Sequence, residues 1–317
     1  MSIAASEANE ERSESSDERL REEPGKRMTT TDAGPVQEVG EIFDITRFGS
    51  YTQFTVVAPG VARSFQPGQF VAVAVGGADT AMLLRRSFAL YGVKPGTEFA
   101  GTIQFVVAPH GRGTEWLVRQ PVGTKLDLVG PLGVPFPIPR EPVPAVLVGG
   151  GYGSAPLLPL AERLLALGSD VTMILGAASA DRLFGQLAAK RLVGGVTVTT
   201  DDGSAGQRGR VTDPLPAAIE QLGAQIVYAC GPMPMLAAVG EVAKAHAIPA
   251  QVAVEESMAC GIGVCMTCVL PVRGNDGVSR FVRSCVEGPV FDAGRVRWAD
   301  VGTLPADLFG AEGMGKH

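Results

Sequence analysis

The sequence predicts a multidomain β + α/β chain: an antiparallel β-barrel, then a parallel-sheet domain, then a short C-terminal lobe organised around cysteines. Three observations predict it. Short apolar runs split by turn residues fill positions 37–140. A fully apolar run at 145–148 and three further strand-like runs alternate with helical stretches over 141–250. Four of the five cysteines fall within 251–317.

Length and composition allow this. At 317 residues there is room for two or three domains. A hydrophobic content of 45% against 19% charged residues is enough for a sizeable buried core. The 41 glycines and 23 prolines suit short strands and tight turns. A net charge of −6 offers no basic surface, so neither nucleic acid nor an anionic membrane is an expected partner. No run of roughly 18 apolar residues is free of charge, Gly and Pro, so no transmembrane helix is expected. The N-terminus lacks the apolar core of a signal peptide. The cysteine pattern is unlike a secreted disulfide framework. A reducing cytoplasm is the expected compartment.

Residues 1–36 are polar and charged without apolar periodicity, and are expected to be a disordered tail. Barrel strands are expected at 53–57, 70–75, 102–107 and 125–129, several alternating polar with apolar. The run Arg85-Arg86-Ser87-Phe88-Ala89 places a basic pair at the start of a strand. Such an arginine can grip a pyrophosphate bidentately, and the aromatic behind it can pack beside a dinucleotide. A structural role for the pair is the rival reading. Gly113 and Thr114 can open a short helix whose free N–H groups face a phosphate. Alternatively, Thr114 is an ordinary helix cap.

Over 141–250, strands are expected at 145–148, 171–176, 196–200 and 225–230. Helices are expected at 157–167, 181–191, 214–222 and 233–245. The alternation argues for a parallel sheet covered on both faces. Gly149, Gly150, Gly151 and Gly153 follow the first strand and precede its helix. In that context glycines let a pyrophosphate approach the helix N-terminus, although the strict G-x-G-x-x-G spacing is absent and a structural turn is an alternative. Cys230 closes the fourth strand, at the edge where open α/β sheets bind ligands. It is a candidate for contact with a nicotinamide, or else a small buried thiol.

The last segment holds Cys260, Cys265, Cys268 and Cys285 in a C-x4-C-x2-C…C spacing. Two bridged irons need two thiolates each, and this is a spacing that holds a [2Fe–2S] cluster. Structural zinc more often shows two short cysteine pairs, and here only one is present. Gly261 and Gly263 let the backbone wrap closely and aim N–H groups at sulfur.

With these motifs in order, the chain resembles the electron-transfer subunits of bacterial NAD-linked, two-subunit dihydroorotate dehydrogenases, within the ferredoxin–NADP reductase-like flavoproteins. The resemblance covers roughly residues 38–300. It is most specific over the cysteine run that starts at Glu255-Glu256-Ser257, and over Arg283-Ser284-Cys285-Val286-Glu287-Gly288-Pro289. It implies a FAD-binding barrel, an NAD-binding domain and a [2Fe–2S] lobe. FAD contacts are implied from Arg86, Ser87, Phe88 and Ala89, from Val106, Val107 and Ala108, and from Gly113 and Thr114. Two positions depart from the family: its proline is Ser87 and its serine is Ala89. The family implies a relay from an FMN-containing catalytic subunit, in a heterotetramer, through cluster and FAD to NAD⁺. Two other functions stay open: a subunit of another NAD(P)H:ferredoxin or sulfide-type oxidoreductase, and an iron–sulfur carrier without flavin.

Overall fold

The computed structural model describes residues 34–77, 80–96 and 101–311. The tail expected over 1–36 lies outside them up to residue 33. Six strands close a barrel: β1 (Val36–Phe48), β2 (Tyr51–Val57), β3 (Phe70–Val73), β4 (Arg86–Lys94), β5 (Thr102–Val107) and β6 (Lys125–Leu132). Their order is β1-β2-β5-β4-β3-β6, antiparallel at every pairing. Alternation puts Ile42, Phe54, Val56, Val71, Val73, Leu90, Ile103, Phe105, Leu126 and Leu128 inside. Phe105 stacks between Phe54 (centroids 5.6 Å apart) and Phe88 (5.1 Å). Two short helices, α1 (Pro59–Ser64) and α2 (Arg112–Leu117), add Val61, Ala62 and Leu117 to this core. Closure leaves the barrel no free edge.

The second sheet has the order β10-β9-β8-β7-β11-β12-β15. Its strands are β7 (Ala145–Gly150), β8 (Val171–Ala177), β9 (Gly195–Thr200), β10 (Gln207–Arg208), β11 (Ile226–Cys230), β12 (Ala250–Ala253) and β15 (Val290–Asp292). All neighbours are parallel except β12 and β15. Both faces are buried, so β7 reads as unbroken apolar sequence. Ala145 and Leu147 pack with α3 (Leu157–Ala166), while Val146 and Val148 pack with α5 (Leu215–Leu222) and α6 (Met233–Ala245). A further helix, α4 (Gln186–Leu192), begins five residues later than the sequence pattern suggests, because Gly185 adopts a left-handed conformation at its cap.

The cysteine segment leaves this sheet after β12 and returns to it at β15, so β12 and β15 flank it as sheet neighbours. Between them lies an antiparallel hairpin, β13 (Val269–Arg273) and β14 (Ser279–Arg283). The barrel docks on the sheet domain through aromatics. Phe184 contacts Phe48, Tyr51 and Tyr91, and the Tyr51 hydroxyl donates to the Arg182 carbonyl at 2.8 Å. Among the described residues no helix is long and apolar enough to cross a membrane.

Candidate functional site

The cysteines converge. Gly261 and Gly263 have φ of +73° and +81°, which bend the 260–268 loop tightly. The bend aims N–H groups at sulfur: Gly263 donates to Cys285 Sγ at 3.2 Å and Val264 to Cys260 Sγ at 3.3 Å. The Thr267 hydroxyl donates to Cys265 Sγ at 3.1 Å. The thiols neighbour one another as two pairs, Cys260 beside Cys265 and Cys268 beside Cys285. Among the described residues no three His, Cys, Asp or Glu side chains gather around one point as they would for a single metal ion; the sulfurs stand as two pairs instead. Two pairs match the requirement of two thiolates per iron in a bridged di-iron cluster. Cys268 and Cys285 are buried against Phe70, Ala72 and Leu132 of the barrel, whereas Cys265 is exposed. The Thr267 hydroxyl and amide, with Cys260, draw the Cys265 thiol down to about 6. Burial and the Cys268 thiol push Cys285 up to about 12. A cradle with sulfur-directed N–H donors, one side on the barrel and one side facing out, fits a cluster.

The basic pair at the start of β4 divides its work. Arg85 donates to Asp127 Oδ2 at 2.6 Å and to the Asp127 carbonyl at 2.9 Å, tying β4 to β6. The Arg86 guanidinium instead lies over Gly113 at the start of α2, where a β-carbon would sit 2.6 Å from its Nε. Arg86 and the Gly113 backbone thus form a cationic corner. The Thr114 hydroxyl donates to the Gly111 carbonyl at 3.0 Å and accepts from the His110 N–H, so its side chain holds the turn. Phe88, expected beside a dinucleotide, turns into the barrel against Phe105. Val107 is fully buried in the barrel core and offers a ligand only main chain, while Val106 and Ala108 face the sheet domain.

Alternation along β4 puts Ser87, Ala89 and Tyr91 on its outer face. Ser87 approaches Gly261 of the cysteine loop, with Oγ 3.5 Å from where a β-carbon would be. Tyr91 meets Phe184 of the sheet domain at 5.1 Å. Ala89 lies between them. A flat ring on this face would touch the cysteine loop and the sheet domain at once.

The glycines after β7 have protein where a side chain would go. A β-carbon on Gly149 would lie 2.6 Å from Ser154 Cβ, on Gly150 2.6 Å from Met235 Sδ, and on Gly153 2.7 Å from the Cys230 carbonyl. They let the turns after β7 and β11 touch. Gly151, at φ +57°, begins a single 3-10 turn before α3, and its nearest neighbour is the Tyr51 hydroxyl. Cys230 ends β11 beside Gly149 and Ala253, buried.

Sequence reasoning assigned no role to Glu255. Burial pushes its carboxyl up to about 7, and its charge acts on Cys230, Tyr152 and Tyr51. The available signal is a carboxylate two residues after β12, at the ligand-binding edge of the sheet.

An iron–sulfur cluster binding domain of dihydroorotate dehydrogenase B matches residues 255–297, and an oxidoreductase NAD-binding domain matches 147–241. The dihydroorotate dehydrogenase B (NAD(+)) electron transfer subunit of Geobacillus thermodenitrificans is 39% identical over 240 residues, covering 74% of this chain and 88% of the relative. The chain belongs to the family of dihydroorotate dehydrogenase B electron-transfer subunits. A probable member from Methanopyrus kandleri is 35% identical over 246 residues, covering 78% of this chain and 86% of its own length. Among solved structures, the NADH-dependent reduced ferredoxin-NADP oxidoreductase superposes with a TM-score of 0.72 at 29% identity, over 90% of this chain and 98% of that one. The ferredoxin reductase of carbazole 1,9a-dioxygenase, 19% identical with a TM-score of 0.58 over 68% of this chain and 67% of its own, shares the fold. The family's barrel, parallel sheet and iron–sulfur segment are therefore all present in this oxidoreductase subunit.

Proposed function

We propose that the chain carries reducing equivalents from an FMN-containing, dihydroorotate-oxidising catalytic subunit to NAD⁺, in cytoplasmic pyrimidine biosynthesis. The observation that carries this is the outer face of β4, where Ser87 meets the cysteine loop and Tyr91 meets the sheet domain. That face is a meeting point for a one-electron site and a nucleotide site.

On this reading residues 37–140 hold FAD, 141–250 hold NAD and 251–317 hold the cluster, while β12 and β15 tie the last two together. Arg86 and the first N–H groups of α2 bind the flavin pyrophosphate. Ser87 and Ala89 offer a small, flat surface to the ring. Cys260 and Cys265 hold one iron, and Cys268 and Cys285 the other. Cys230 and Gly149 bound the nicotinamide position, and Glu255 holds a proton beside it below about pH 7. When bound, cluster and flavin supply the step between one- and two-electron chemistry. The catalytic partner docks over the cysteine loop, where Ile262 (54% exposed), Val264 (75%) and Met266 (53%) surround the exposed Cys265. A heterotetramer is the expected assembly.

A second reading rests on the 29% identical, nearly full-length match to a ferredoxin-NADP oxidoreductase chain. In that case the partner handles ferredoxin rather than dihydroorotate. Co-purification decides. A pair that reduces NAD⁺ on adding dihydroorotate supports the first reading. A pair that responds only to reduced ferredoxin supports the second. Iron without flavin would sink both.

A further inference from the structure

We infer that Arg283 and Glu287 form an ionic latch that sets the reduction potential of the cysteine-held cluster; this rests on the cluster reading above. The guanidinium of Arg283 reaches across the cysteine segment. Its Nη1 donates to the Gly263 carbonyl at 2.9 Å. The N–H of the same Gly263 donates to Cys285 Sγ at 3.2 Å. The arginine thus grips the residue whose amide points at a cluster sulfur. Its own position is fixed from the other side. Nη2 donates to Glu287 Oε1 at 2.8 Å, and the Arg283 backbone N–H donates to Glu287 Oε2 at 2.8 Å. The Ser284 amide donates to the Cys268 carbonyl at 2.8 Å and completes the closure.

The 260–268 loop has few other ties here. Gly263 sits at φ +81°, and a β-carbon there would strike Val286 Cγ2 at 2.5 Å. The loop therefore rests directly on the turn that carries Cys285. Arg283 is a positioning residue in this arrangement, because it touches the loop and not the iron. It also brings a positive charge next to a group that becomes more negative on reduction. Reduction potential follows net charge and hydrogen bonds to sulfur. Both contributions of Arg283 favour the reduced state. Glu287 partly cancels the charge while keeping the geometry.

Two variants separate a potential-setting latch from a merely structural one. Arg283→Gln removes the charge and weakens the hold on Gly263. Glu287→Gln removes the cancelling charge and keeps one of the two acceptor oxygens on a near-isosteric side chain. Full-length protein, co-expressed with its partner, is titrated anaerobically while the signal of the reduced cluster is followed by electron paramagnetic resonance. Iron and sulfide are assayed on each sample. The expected result is a pair of shifts of opposite sign: the midpoint falls in Arg283→Gln and rises in Glu287→Gln. Midpoints that stay at the wild-type value, or that move in the same direction, overturn the inference. If Arg283→Gln retains no iron, Glu287→Gln decides alone: a rise supports the latch, and no rise overturns it. Wild-type protein without iron and sulfide would instead overturn the cluster reading, so the two failures are told apart.

Discussion

The guanidinium of Arg86 lies directly over Gly113, so close that a β-carbon on that glycine would sit 2.6 Å from Nε. Two residues distant in sequence thus build one cationic corner, while the adjacent Arg85 is committed to Asp127. Arg86→Gln is expected to weaken flavin binding by one to two orders of magnitude, since a hydrogen bond to a charged group contributes about 1.5–3 kcal/mol. Arg85→Gln should keep its flavin and lose up to about 1 kcal/mol of stability, as suits a partly exposed ion pair. Flavin dissociation constants and denaturant melts of both variants check this. Flavin loss from Arg85→Gln alone would reverse the assignment.

Gly113→Ala tests the same corner without removing a charge. The added methyl must displace the guanidinium, because the α2 backbone on its other side is fixed by helix hydrogen bonds. Flavin content of the purified protein should fall while iron content stays at the wild-type level. Equal loss of both would mean a general folding defect.

Glu255 gives a pH dependence with a definite sign. Its folded-state value is raised from 4.5 to about 7 by burial. Between those values the unfolded chain ionises Glu255 while the folded chain keeps it protonated. Its stabilising effect is therefore full below about pH 4.5 and is lost as pH rises through 7. A shift of that size corresponds to about 3 kcal/mol. Glu255→Gln should flatten this part of the stability profile and gain most relative to wild type above pH 7. Denaturant midpoints measured from pH 5 to 8 suffice, and parallel profiles for the two proteins would refute the assignment.

Phe105 lies between Phe54 and Phe88 in the centre of the barrel. Phe105→Ala should cost about 3–5 kcal/mol, read as a lowered denaturant midpoint. Any loss of flavin should follow the loss of fold. A barrel that keeps its stability but loses flavin would mean that the stack serves the ligand.

Cys268→Ala should abolish iron retention and destabilise the segment between β12 and β15, because a bound cluster is coupled to the folding of its own loop. Cys230→Ala should leave iron and flavin contents unchanged and lower the rate of NAD⁺ reduction. Iron loss from Cys230→Ala would place that thiol at the wrong site.

Much of the fold was legible. The continuous apolar run at 145–148 and the largely apolar 171–176 suit strands buried on both faces, and the cysteine spacing points to two bridged irons. Other elements were not legible, for reasons the structure supplies. β1 is not legible because Val39 and Phe43 are both 67% exposed, which blurs its alternation. The β13–β14 hairpin is not legible because each strand has five residues, Pro271 sits inside β13 and polar residues flank the two apolar positions of β14. Phe88 turns into the barrel against Phe105, which sequence alone does not say because it does not fix the face to which a strand residue turns.

The sequence by itself determined the chemistry available: four thiols at a di-iron spacing, glycines demanding close approach, an arginine at a strand start, and the order of barrel, sheet and cysteine segment. These are local properties of spacing and residue type. Only the tertiary structure decided what approaches what. It put the glycines after β7 against Ser154, Met235 and Cys230, gave Arg85 to Asp127 and Arg86 to Gly113, and set the half-buried Glu255 where its charge acts on Cys230. It also brought Ser87 to the cysteine loop and Tyr91 to Phe184. Those pairings join residues far apart in the chain, and barrel closure and sheet order set them rather than any neighbour in sequence.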